Sequence, residues 1–225
     1  MKNVWLGSIL VVAFSSNPVW SQDNMTLEEK YGYSLGYTLG KNIQNKFPGF
    51  ETKNFLQAMQ DAVNNSKPKL NQQEMAQAFK DFENIKQQKE AAIGEKNIEI
   101  GKKYISEYAK KAGVKPLSDG LYYKILKSGK GGVMPKEDST VEVHYKGTLI
   151  NGTVFDSSYD RGQPVSFPLN RVIKGWTIAV QKMQAGDKWE IVIPSDLAYG
   201  MKGAPGGKIG PNETLIFEVE LLKIL

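Results

Sequence analysis

Residues 69–115 contain no proline, and from Asn71 onward the chain reads as one helix too long for a small domain to enclose. Asn71-Gln72-Gln73-Glu74 has the form of a capping box, which satisfies the orphan amides of a helix start. Met75, Phe79, Phe82 and Ile85 then recur at helical spacing. Past Ile85 the apolar stripe thins while charges persist. Glu83 with Lys86, Glu99 with Lys103 and Glu107 with Lys111 are spaced to pair on an exposed helix, each pair contributing only a few tenths of a kcal/mol. A continuous helix from Asn71 to about Lys111 extends roughly 60 Å, so the chain divides into a part before it and a part after it. The polar second half reads as a solvent-bridging connector, with Gly94 and Gly101 as candidate bends, and Gly113 followed by Pro116 stops it.

Before this helix, Lys2 and the apolar run Val4 to Phe14 form a positive n-region and a short h-region, too brief to span a membrane. Residues 1–21 are read as a signal peptide, which predicts export, to the periplasm first and to an outer-membrane or cell surface as the alternative. Residues 22–70 form a helical region. Thr26-Leu27-Glu28-Glu29 caps a helix running to about Lys46, and a second helix covers Thr52 to Val63 with Phe55, Leu56, Met59 and Val63 on one face. Inside the first, Gly32, Gly36 and Gly40 recur every four residues, each costing up to roughly 1 kcal/mol relative to alanine. A side-chain-free stripe lets another backbone approach. That backbone belongs either to the same chain or to a second copy, and the spacing alone leaves both open.

After the helix, residues 113–225 change character. Leu121 to Lys127, Thr140 to Leu149, Val154 to Asp156, Val165 to Leu169, Lys188 to Ile193 and Thr214 to Leu225 read as strands. Asn151-Gly152 is a two-residue hairpin signal. In the middle, Arg171-Val172-Ile173-Lys174-Gly175-Trp176 changes the apolar period from two to about 3.6, so one short helix is wrapped by a curved sheet and Trp176 lies at its mouth.

Composition narrows the chemistry. Removing Lys2, the only charge in the leader, lowers the net charge from +5 to +4, and the chain holds only two arginines, Arg161 and Arg171. That argues against a nucleic-acid reader. With no cysteine and one histidine, His144, neither a metal nor another cofactor is expected. His144 alternates onto the outer side of its strand and reads as a solvated histidine. No nucleophile elbow occurs. What remains is a set of aromatics around one acid: Tyr145, Phe155, Asp156, Phe167, Trp176, Tyr199 and Phe217. Each taken singly reads as ordinary core, with Asp156 the one candidate for a buried acid.

Taken jointly, Val143-His144-Tyr145-Lys146-Gly147, Val154-Phe155-Asp156-Ser157-Ser158, Val172 to Trp176, Ile193-Pro194-Ser195, Ala198-Tyr199-Gly200 and Leu215-Ile216-Phe217 resemble the FKBP-type peptidyl-prolyl cis-trans isomerases. The glycine helix and the long connector are similar to the dimerising front half of the exported, macrophage infectivity potentiator (Mip)-like subgroup. The resemblance implies an α+β chain: an all-helical N-terminal dimerisation region over 22–70, a connecting helix over 71–112, and a C-terminal antiparallel half-barrel around a short helix over 113–225. It implies catalysis by Tyr145, Asp156, Trp176 and Tyr199, with Phe155, Val165, Phe167, Val172, Ile173, Ile209 and Phe217 binding substrate. The implied partners are proline-containing and unfolded exported polypeptides, macrolides of the tacrolimus and rapamycin type, and a second copy of the chain. A chaperone or adhesin with an inert pocket is the rival reading. Val165 stands where many relatives carry an aromatic, and Ala204 where many carry histidine.

Overall fold

A computed structural model describes residues 25–46, 51–118 and 120–225, so the leader lies outside the described residues. The chain divides into two compact units between Asn71 and Gln72.

The first unit holds α1 (Leu27–Lys46) and α2 (Thr52–Val63). The capping box at α1 is reciprocal: the Thr26 amide donates to Glu29 at 2.7 Å and the Glu29 amide to the Thr26 hydroxyl at 3.2 Å. At α2 the cap is Glu51, whose carboxylate accepts from the amides of Lys53 and Asn54. The two helices bury little. No residue of α2 is buried, and Leu27, Tyr31, Leu35, Leu56 and Val63 are all exposed. A Cβ added to Gly32, Gly36 or Gly40 would meet no neighbouring atom within 4 Å among the described residues, so the stripe is open there.

The second unit opens with α3 (Gln72–Tyr108), one continuous helix of 37 residues. Gly94 and Gly101 are not bends. Both are buried against the sheet domain: a Cβ on Gly94 would lie 2.9 Å from the Asn212 amide nitrogen and 3.2 Å from the Met201 sulfur, and one on Gly101 would collide with the Thr214 hydroxyl. Between them the Asn97 amide donates to the Pro211 carbonyl at 2.8 Å, and further on the Tyr108 hydroxyl donates to Glu190 at 2.8 Å. The second half of α3 is therefore docked, and the compact unit begins at Gln72 rather than at residue 113. Glycines and small polar groups make the contact, which is why no apolar stripe advertised it.

Seven antiparallel strands follow in the order β1-β2-β6-β7-β3-β4, with β5 also on β3. They are β1 (Val114–Ser118), β2 (Leu121–Lys127), β3 (Thr140–Leu149), β4 (Val154–Ser157), β5 (Val165–Pro168), β6 (Lys188–Ile193) and β7 (Leu215–Ile224). β1 was hidden by Pro116, which an edge strand tolerates. The β3–β4 hairpin differs from the two-residue expectation. The Gly152 amide donates to the Leu149 carbonyl and the Leu149 amide to the Thr153 carbonyl, giving a three-residue loop with Gly152 left-handed at φ +85°. Alternation on β3 and β7 turns Val141, Val143, Tyr145, Leu215, Phe217, Val219 and Leu221 inward. They close over α4 (Lys174–Val180), which contributes Trp176, Ala179 and Val180 to the same core. Val192 is buried outside that cluster, on the face of β6 that it shares with Glu190, where Tyr108 of α3 arrives.

Candidate active site

α4 begins at the mouth of the sheet because Gly175 permits it: a Cβ there would run into the Ile193 side chain. Trp176 is thereby carried to the floor of a cup of about 640 Å³, within the usual range for a ligand site. Three rings stand around the Trp176 ring nearly edge-on: Tyr145 at 5.3 Å and 88°, Phe217 at 5.3 Å and 81°, Phe167 at 6.0 Å and 86°. Phe155 meets Phe217 edge to face at 5.4 Å. Gly147 on β3 makes room for that pair, since a Cβ there would lie 2.5 Å from the Phe155 ring and 2.8 Å from Phe217. Such T-shaped contacts hold the wall at one geometry.

The polar groups sit on this apolar frame. The Tyr145 hydroxyl donates to Asp156, Arg161 donates to the other Asp156 oxygen, and a second Arg161 nitrogen reaches the Tyr145 hydroxyl at 2.9 Å. The Asp156 side chain is 42 % exposed, so it is a half-exposed, clamped acid rather than a buried one. Burial pushes its carboxyl up, but the bonds from Tyr145 and Arg161, the Arg161 charge and the Ser157 amide outweigh this and hold it below the ordinary carboxylate value. Burial, then the bond to Asp156, raises the Tyr145 hydroxyl. Burial, then the Asp156 charge, raises that of Tyr199. Both phenols are thus protonated donors at neutral pH.

The remaining wall is a turn and a loop. Val172 and Ile173 lead into α4, where the Ile173 carbonyl accepts from the Trp176 amide at 2.9 Å while its own amide bonds to no backbone acceptor among the described residues. The loop after Tyr199 supplies Ala204, Pro205, Lys208 and Ile209. It is pinned by Ala204 donating to the Ile209 carbonyl and Asn212 to that of Gly200. Gly203, at φ +64°, leaves no space for a Cβ beside Ile209 and Gly210.

The structure therefore brings together Tyr145, Phe155, Asp156, Phe167, Val172, Ile173, Trp176, Tyr199, Ile209 and Phe217. Val165 is the exception. It shares the inward side of β5 with Phe167, but its short side chain packs on the core and does not line the cup. His144 is outside the cup, bonded to Ser158 at 3.0 Å and stacked on Tyr159. Sequence reasoning passed over Arg161, Arg171, Pro205 and Lys208. Arg161 was findable as one of two arginines, five residues beyond Asp156 and across a turn that folds it back.

Comparison with known proteins places the chain in a family. The family model for the FKBP-type peptidyl-prolyl cis-trans isomerase matches residues 131–222, and that for the domain amino-terminal to it matches residues 28–125. The chain is 41 % identical over 203 residues to the peptidyl-prolyl cis-trans isomerase Mip of Coxiella burnetii, covering 88 % of this chain and 87 % of that one. The chain belongs to the FKBP-type peptidyl-prolyl cis-trans isomerases. FkpA of Escherichia coli K12 is 42 % identical over 88 % of this isomerase and 76 % of its own length. The outer membrane protein MIP of Legionella longbeachae is 40 % identical over 88 % and 86 %. The crystal structure of FkpA from Escherichia coli superposes with a TM-score of 0.62 at 40 % identity, covering 88 % of this chain and 97 % of that one. A crystal structure of the isomerase from Pseudomonas syringae gives 0.54 at 42 % identity, over 58 % and 94 %. The amino-terminal match ends at residue 125, inside β2, and the isomerase match begins at residue 131, so the two cover successive parts of the chain without overlapping.

Proposed function

We propose that the cup isomerises X-Pro bonds by taking them out of water. Rotation about the amide must cross about 18–20 kcal/mol because the planar form keeps its resonance. Water stabilises that charge-separated planar form, so a prolyl ring set on Trp176 between Phe155 and Phe217 loses part of the barrier. The free Ile173 amide and the protonated Tyr199 hydroxyl anchor the peptide, and Asp156, held by Tyr145 and Arg161, faces the rotating carbonyl. The observation that carries this reading is the edge-on aromatic cage around Trp176, with its only acid already clamped. A tacrolimus- or rapamycin-type macrolide fits the same cup as an incidental ligand. The rival binding module with an inert pocket gains no support from a cup whose donors are all in place.

The test is a protease-coupled assay on the mature protein with a short X-Pro peptide. Uncatalysed exchange takes about 10–100 s. Concentration-dependent acceleration is expected, and none would refute the reading.

We further infer a homodimer formed through the N-terminal helices, acting on unfolded exported polypeptides after removal of residues 1–21. The support is the open Gly32-Gly36-Gly40 stripe beside exposed Leu35 and Leu39 on α1. Helices this poor in buried residues gain a core by association. No helix among the described residues is long and apolar enough to cross a membrane.

A further inference from the structure

Two cations on the cup have no counter-charge in it. Asp156 is the one acidic side chain among the lining residues, and Arg161 binds it directly. Lys208 gives one N–H to the Phe155 carbonyl at 3.2 Å, a neutral acceptor that leaves the ammonium charge intact. Arg171, at the end of the short turn leading into α4, forms no ion pair among the described residues. Both side chains are exposed, so they stand at the rim rather than on the floor. Lys174, exposed on the first turn of α4, and Lys202, exposed in the loop, add to the same sign.

A prolyl ring seated on Trp176 sends its two flanking chain segments out across this rim. We propose that the enzyme favours X-Pro segments carrying Asp or Glu within two residues of the proline, with Arg171 and Lys208 as the residues that select them. This rests on the reading that the cup holds the prolyl ring. Arg171 presents a planar fork that a carboxylate matches with two bonds, whereas Lys208 acts as a point charge. Each exposed pair is worth about a 1.4- to 5-fold preference. Salt weakens it, since the screening length falls from about 10 Å at 0.1 M to about 3 Å at 1 M. A nucleic acid would need a continuous basic stripe, and the rim offers a cluster around one apolar cup instead.

The experiment compares kcat/KM for peptides with Glu or its isostere Gln at each of the two positions on either side of proline. It is run on the mature protein at about 20 mM and about 1 M salt, and repeated with Arg171→Gln, Lys208→Gln and the double variant. At low salt one or more Glu peptides should exceed their Gln partners by about three- to fivefold. That ratio should approach one at high salt and in the double variant, and Arg171→Lys should keep part of it. The ratio within each variant is the readout, so a change in absolute rate does not affect it. Equal or lower kcat/KM for Glu at every position, or a preference that persists in the double variant, would overturn the selection. The Gln peptides report separately on the cup: no turnover of any of them sinks the isomerase reading, while turnover without a Glu preference sinks only the charge selection.

Discussion

Asp156 reaches the cup already bonded twice, to Tyr145 and to Arg161, so its charge is fixed in place before substrate arrives. Asp156→Ala is expected to lower kcat/KM about tenfold or more with the fold intact by circular dichroism, an effect of about 1.4 kcal/mol on the barrier. Tyr199→Phe keeps the wall and removes one anchor, so the loss should appear mainly in KM. The depressed Asp156 carboxyl also sets a pH dependence. Its contribution to stability is fully present above the unfolded value of about 3.9 and is lost as pH falls through the lower folded value. Melting temperature and activity should therefore hold from pH 7 to about 5. In Arg161→Gln, where burial is opposed by one partner fewer, the acid limb should move to higher pH; an unmoved limb would show that Arg161 does not hold the carboxylate down. The aromatic positions of the cup were legible because Tyr145, Phe155 and Phe217 fall on strands whose alternation fixes their side. Arg171 and Lys208 were not, because what they touch depends on loop paths that no period encodes, and Arg161 was marked only by the scarcity of arginine and its position five residues beyond Asp156.

At the scale of elements, α3 grips both ends of the loop that forms one cup wall, through Gly94 at Met201 and Asn212 and through Asn97 at Pro211. A fragment starting at residue 113 discards this support, although about 110 residues can sustain a core. A fragment over 88–225 keeps it and should melt higher than one over 113–225; equal melting by calorimetry would mean that the docking contributes nothing. Gly101→Val drives a side chain into Thr214, an overpacking that costs about 1–3 kcal/mol, and should lower the melting temperature of the longer fragment by several degrees. The strands other than β1, the short helix α4 and the length of α3 were readable from period, and the start of α1 from its capping residues Thr26 and Glu29. The docking of α3 was not: a contact made with Gly94, Asn97 and Gly101 looks like a polar helix face, and the same glycines look like bends.

For the whole molecule, the open glycine stripe carries the expectation of two copies. Gly36→Leu should turn a dimer into monomers by sedimentation, leave turnover of short X-Pro peptides in place, and slow the refolding of a whole protein client; a wild-type protein already monomeric at micromolar concentration would contradict this. The division into helical and sheet parts was visible in the change of pattern near Gly113, but the compact boundary at Gln72 depends on packing that only the fold reveals. The central claim is that an apolar cup, more than any placed charge, lowers the barrier. Its most direct test is magnetisation exchange between the cis and trans signals of one X-Pro peptide with Phe155→Leu and Phe155→Asn, near-isosteric changes in the cup wall, each checked for its fold. The leucine variant should retain at least about tenfold more activity than the asparagine variant, a difference of about 1.4 kcal/mol. Equal rates from two folded variants would show that removal from water is not what drives the rotation.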